Sequence, residues 1–213
     1  MTGYISEPKP LPLIWRILLG LVERRLGKKL VANRILAWYP RALLGSGLLE
    51  ALVAHDEPEV PRRLLKLIRV YTSFRVSCPF CIDLNSREYR DSGLSDEEIL
   101  GLQEPDRIAS LPSLSAAERA ALAYVECMCR SPVRFEAETV EELRRHFDER
   151  GVVVIASTCA QVNFWARLIQ AFGVPPAGFN AECSLLDLDR YRSLLPRAGA
   201  AAQEGQVLPV DHP

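Results

Sequence analysis

The run Val152–Phe172, VVVIASTCAQVNFWARLIQAF, constrains the fold more than any other stretch of this chain. It is long enough to cross a bilayer, but Gln161, Asn163, Arg167 and Gln170 stand inside it. Burying those groups in hydrocarbon without partners is costly, so the run predicts a long central core helix in a protein with no membrane partner. Around it, apolar residues recur at helical spacing. Leu13, Ile14, Ile17, Leu18, Leu21 and Val22 make one stripe, and Val31, Ile35, Leu36 and Trp38 a second. Pro40 should kink or end that second helix, and another begins near Arg41 and runs through Leu48, Leu49 and Leu52 to His55. After the EPEVP linker at 57–61, Leu64, Leu65, Ile68 and Tyr71 mark the next. Ser95 with Glu98, and Ser115 with Glu118, are capping boxes opening helices over 95–103 and 116–130. Prolines 105 and 112 read as the loop between them. A polar amphipathic helix follows over 138–147, Gly173 is a C-cap candidate, and DLDRYRSLL makes a further short helix. No stretch alternates well enough to be a strand. The reading is all-α: a single-domain helical bundle over 41–180, an N-terminal arm and helices over 1–40, and an extension over 181–213.

Charge and cysteine usage narrow the class. With 26 basic and 27 acidic residues, a net charge of −1, nothing electrostatic calls for a nucleic-acid partner. Six cysteines in 213 residues do not make a disulfide scaffold, and the polar, proline-rich lead shows no secretory signal pattern. A reducing cytoplasm is the expected compartment.

Cys78-Pro-Phe-Cys81 is the motif with chemistry in it. Pro79 suits a first helical position, which puts Cys78 at the N-cap and Cys81 in the first turn, where unpaired N–H groups favour a thiolate. One sulfur of such a pair can attack an oxidant and the other close a disulfide. If the helix continues, Cys78, Cys81, Asn85 and then Glu88 or Tyr89 share a face, while Asp83 points elsewhere. The alternatives are structural packing or half a zinc site. Zinc would need two more ligands, and Cys127 and Cys129 point to nearly opposite sides of a helix. Cys127, Cys129, Cys159 and Cys183 therefore read as small buried hydrophobes, and no metal or cofactor is called for.

The order helix, CPFC, helix, GLSDEEILGL, LSAAERAALAYVE, amphipathic helix, QVNFWARLIQAFGV resembles the carboxymuconolactone decarboxylase-like, or alkyl hydroperoxidase D-like, family over roughly residues 40–180. The resemblance implies an all-α, often oligomeric fold. It further implies peroxide reduction through the CxxC pair or, in branches lacking the cysteines, decarboxylation of a lactone acid. In the peroxidase pattern a glutamate twelve residues before the first cysteine and a histidine four after the second relay protons. Here those positions are Lys66 and Asn85. Asn85 carries no proton at neutral pH, and Lys66 favours a thiolate by charge but is no base while protonated. The bland reading of Lys66 is a solvated helix face. Glu88 is a substitute acceptor, or simply a partner of a neighbouring arginine; nothing places Glu126 or His146 near the sulfurs. The expectation is a thiol-dependent hydroperoxide reductase using Cys78, Cys81, Asn85, Lys66 and Glu88. Its substrate is a small hydroperoxide, its reductant an external dithiol, and its assembly a homo-oligomer. Cys78, at the cap, is expected to be the more accessible sulfur for the reductant. The rival readings are a decarboxylase-like lyase and a non-catalytic, redox-sensing helical oligomer.

Overall fold

A computed structural model describes residues 5–53, 57–180 and 185–186, and among these there are ten α-helices and no strand. They are α1 (Leu13–Leu26), α2 (Val31–Leu36), α3 (Pro40–Leu52), α4 (Arg62–Arg75), α5 (Pro79–Asn85), α6 (Asp96–Gly101), α7 (Pro105–Ile108), α8 (Ala116–Cys129), α9 (Ala137–His146) and α10 (Glu149–Ala171). A 3-10 turn at Arg90–Ser92 joins α5 to α6. The all-α expectation holds.

Helix α10 is central, as its apolar run predicts, packing on α4, α8, α5 and α9. It starts at Asp148, whose carboxylate accepts the Gly151 amide at 2.8 Å. Its polar residues all find a place. Gln161 is buried and donates to the Glu50 carboxylate at 3.0 Å, Gln170 donates to the Val76 carbonyl at 3.1 Å, and Arg167 faces solvent. By length and composition alone the helix could span a bilayer, but Gln161 and Gln170 are met by protein partners.

The main core joins α4, α6, α8 and α10 through Leu67, Ile68, Tyr71, Ile99, Leu122 and Ile155. Both capping boxes are present, and Arg63 ties them together. Its guanidinium pairs with the buried Glu98 and, at 2.7 Å, with Glu118. A second cluster sets Cys78, Phe80 and Cys81 of the α5 region against Ala32, Ile35, Ala166 and Ile169. A third holds Leu19, Leu36 and Leu43 over Trp165 and Phe172. Helices α1–α3 thus lean on the C-terminal half of α10, and their outer faces carry exposed Leu13, Ile14, Ile17, Leu48 and Leu52.

Two local readings need correction. Residues 105–108, expected as loop, form a helical turn because Pro105 sits at N1, where its fixed φ and missing N–H suit a helix start. Helix α5 stops at Asn85 rather than continuing through 89; Glu88 is in the left-handed region at φ 52°. His55 and the expected DLDRYRSLL helix lie outside the described residues.

Candidate functional site

Cys78 is the N-cap of α5, as the CP dipeptide predicts. Its sulfur accepts the Cys81 amide at 3.2 Å, and Pro79 occupies N1. The two cysteines are joined as a disulfide, with Cα atoms 5.2 Å apart, inside the usual range for such a bridge. The expected ranking of their accessibility is reversed. Cys78 is fully enclosed, whereas Cys81 lines a cavity of about 640 Å³. The reason is the direction of α5. Its cap end is pressed against Val76, Ala166 and Ile169, while the first-turn position turns toward the gap left between α1, α3, α4 and α10.

The cavity is apolar over most of its wall, with Trp15, Leu19, Leu43, Leu48, Phe80 and Trp165 among its lining. The same cavity is also lined by the polar residues Lys66, Arg69, Asn85, Glu50 and Gln161. Lys66 is therefore not the solvated lysine of the bland reading. It is half-buried and donates to the Arg87 carbonyl, and burial, helped by the nearby Arg69 charge, lowers its pKa to about 8. Asn85, one turn beyond Cys81, donates its amide to Ser73 at 2.9 Å, and Ser73 in turn donates to the Arg69 carbonyl at 2.7 Å. So Cys81, Lys66 and Asn85 share one cavity, with Cys78 directly behind.

Glu88 does not join them. It is exposed and pairs with Arg87 at 2.6 Å, because α5 has already ended and the turn carries the side chain outward. Glu88 therefore lies outside the cavity and cannot serve as the proton acceptor expected from its spacing. Asp83 points away, as expected, and is buried. Its carboxylate accepts the backbone amides of Gly178, Phe179 and Asn180 at 2.7, 3.1 and 2.8 Å. This strap holds 178–180 across α5, where Phe179 meets Phe80 edge-on. Glu126 is engaged with Tyr71 and Arg75, and His146 with Glu142; neither lines the cavity.

Glu50 is the site residue that sequence reasoning missed. It stands on α3, and its Oε2 accepts from Trp165 Nε1 and Gln161 Nε2, both at 3.0 Å, while Arg69 reaches Oε1 at 3.2 Å. No spacing rule connects a glutamate on α3 to a cysteine on α5; only the fold brings them to one cavity. Arg69 Nε and Gln161 Oε1 are buried and have no hydrogen-bond partner. Among the described residues no three metal-ligating side chains converge.

No family model matches the chain. The protein YdfG of Bacillus subtilis, uncharacterized, is 28% identical over 118 residues, 55% of this chain and 78% of that protein. An uncharacterized peroxidase-related protein from Silicibacter sp. TM1040 superposes with a TM-score of 0.69 at 21% identity, covering 85% of this chain and 93% of the other. The debrominase Bmp8, in a variant bound to 2,3,4-tribromopyrrole, gives 0.67 at 18% identity over 91% and 97%. A protein of unknown function from Agrobacterium tumefaciens, described as a candidate AhpD antioxidant defence protein, gives 0.59 at 26% identity over 66% and 94%. The resemblance read from CPFC and its flanking helices is met by the structure: the chain has the helical fold of the AhpD-like, peroxidase-related proteins.

Proposed function

We propose that the protein is a thiol-dependent reductase of organic hydroperoxides that works through the Cys78–Cys81 dithiol. One observation carries the reading: the disulfide lies at the wall of a largely apolar cavity, with Cys81 facing the space that Lys66 and Asn85 also face. In the reduced protein the Cys81 thiolate attacks the terminal peroxide oxygen. An S–O bond forms, the O–O bond breaks, and the alkoxide leaves as alcohol after taking a proton. Lys66 is the donor for that proton, since a lysine whose pKa lies near 8 is a far better acid than one at its ordinary value. Cys78 then attacks the Cys81 sulfenic acid, the disulfide closes and water leaves. An external dithiol restores the pair by exchange. Asn85, which lines the same cavity, steadies the thiolate as a hydrogen-bond donor. The apolar walls favour an alkyl or aryl body over hydrogen peroxide.

The protein would act as a cytoplasmic homo-oligomer. The support for assembly is the exposed apolar stripe of α1 and the outer face of α3, more apolar surface than a lone protomer ordinarily leaves in water.

A second reading shares the same atoms. The likeness to Bmp8 and the aromatic lining support reductive debromination of a bromopyrrole. There the dithiol would supply two electrons, the ring carbon would take a proton, and bromide would leave. Steady-state assays with dithiothreitol as reductant separate the two: loss of cumene hydroperoxide supports the first reading, and bromide release from tribromopyrrole the second. A protein that exhausts one equivalent of dithiol and then stops with either substrate contradicts both.

A further inference from the structure

Away from the CxxC pair, two more sulfurs meet. Cys129, the last residue of α8, and Cys159, in the middle of α10, hold their Sγ atoms 4.0 Å apart. Cys159 is fully buried and Cys129 half-buried. The Asn163 amide donates to both sulfurs, at 3.9 Å to Cys129 and 3.5 Å to Cys159. From α4, the Thr72 hydroxyl donates to Cys159 at 3.6 Å. A buried free cysteine ordinarily behaves as a small hydrophobe. These two instead touch each other and are met by polar groups from α4 and α10.

The pair is also unequal. The hydrogen bond from Cys159 holds the Cys129 thiol below its ordinary pKa against the effect of burial, with Asn163 adding to the effect; the nearby Glu126 raises it and Arg75 lowers it. The same hydrogen bond, together with burial, pushes the Cys159 thiol up. Cys129 is thus both the readier thiolate and the sulfur closer to solvent.

We propose that Cys129 and Cys159 form a second redox dithiol, independent of the CxxC pair, which an organic hydroperoxide closes into a disulfide between α8 and α10. The Cys129 thiolate takes the terminal peroxide oxygen, giving a sulfenic acid and an alkoxide that leaves as alcohol with a proton from water. The Cys159 thiol then attacks the Cys129 sulfur, the S–O bond breaks and water leaves. In sum two thiols and one hydroperoxide become one disulfide, one alcohol and one water. The sulfurs already stand 4.0 Å apart, and closing the bridge to a bond of ~2.05 Å brings them about 2 Å closer. The bridge would fasten α8 to α10, the helix whose Ala166 and Ile169 back the CxxC disulfide.

The test uses the full-length Cys78→Ser/Cys81→Ser protein, so that its result does not depend on the reductase reading. The reduced protein is treated with cumene hydroperoxide, alkylated, digested with trypsin and mapped by tandem mass spectrometry. The expected result is loss of two alkylatable thiols and one dithiothreitol-sensitive link between the peptides carrying Cys129 and Cys159. Adding Cys129→Ser should abolish the link and leave Cys159 alkylatable after denaturation. If the CxxC-free protein fails to fold by circular dichroism, the same map on the wild-type chain must show the link beside a separate Cys78–Cys81 bridge. Cys129 converted to sulfinic acid with Cys159 still a thiol overturns the proposal, and so does Cys129 bridged to Cys127 or Cys183.

Discussion

The two sulfur pairs of this molecule differ in how they are assembled. Cys78 and Cys81 are brought together by one turn of helix, so any chain that folds locally at Pro79 presents them to each other. Cys129 and Cys159 come from two helices and meet only when α8 and α10 pack. The first pair sits between the core and the helices α1–α3, with Cys81 on a cavity large enough for a ligand. The second sits among core side chains, is met by Asn163 and Thr72, and does not line that cavity. Proximity of thiols is common to both, and a largely apolar cavity that Lys66 also lines belongs to the first. A chamber and a donor are what turnover requires; a dithiol without them is expected to react once and wait.

The largest effect should therefore be at the chamber. Cys81→Ser should reduce dithiol-driven hydroperoxide loss to the uncatalysed background, while the Cys129–Cys159 bridge still closes under peroxide. Peroxide consumption measured alongside thiol mapping on one sample reads both. Turnover surviving in that variant would make the second pair the catalytic one and invert the comparison.

Lys66→Met comes next, with turnover expected to fall by ~10²-fold, the lower end of what a positioned general acid contributes. In the wild type the acid is lost as pH rises through about 8, so turnover should decline on that limb, and the variant's profile should be flat there. Stability should move the other way. A folded-state pKa depressed from 10.5 to about 8 means the unfolded chain binds the extra proton between those values. The wild type thus carries the full penalty below about pH 8 and sheds it by about 10.5. Lys66→Met should raise the melting temperature at pH 7 and lose that advantage as pH approaches 10.5.

Adjacent residues on α4 offer a finer cut, since Thr72 serves the second pair and Ser73 the first. Ser73→Ala leaves the Asn85 amide without its acceptor and should lower turnover by up to about tenfold, which steady-state rates would show. Thr72→Val keeps the shape but removes the hydroxyl that reaches Cys159, and should cost about 1 kcal/mol of stability in a denaturant melt. If Thr72→Val lowered turnover as much as Ser73→Ala, the two sulfur sites would be one coupled unit.

A milder change tests the outer face. Leu48→Asp both lines the cavity mouth and interrupts the exposed α3 stripe. Light scattering should shift from a multiple of 23.8 kDa toward that mass itself. A wild type already at the protomer mass at micromolar concentration would remove the oligomer from the account.

What could be read from the sequence follows the same division. Helical stripes, both capping boxes and the Cys78 cap are local patterns, and α1, α4, α6, α8 and α10 appear close to where those patterns put them. That Asp83 lies off the stripe is legible too, because two positions along a helix settle that without tertiary knowledge. Glu88 falls off the site because α5 ends before the helix face would reach it, and nothing in REYRD announces the left-handed turn at 88. Glu50 and Cys159 were invisible as site residues for another reason. Each reaches its partner across dozens of residues, and a lone glutamate or cysteine on an apolar helix looks the same whether or not it has one. Lys66 lies between: its spacing from Cys78 is legible in the sequence, but its burial, and hence its depressed pKa, depends on tertiary neighbours such as the Arg87 carbonyl.

The most direct test of the central claim is to trap the first intermediate. In Cys78→Ser the resolving sulfur is gone, so the sulfenic acid formed on the attacking cysteine must wait for another thiol. Reduced Cys78→Ser protein mixed with cumene hydroperoxide and dimedone should carry the dimedone adduct on Cys81, with one alcohol released per adduct. A Cys81 that stays a free thiol while the hydroperoxide disappears, or an adduct confined to Cys129, would contradict it.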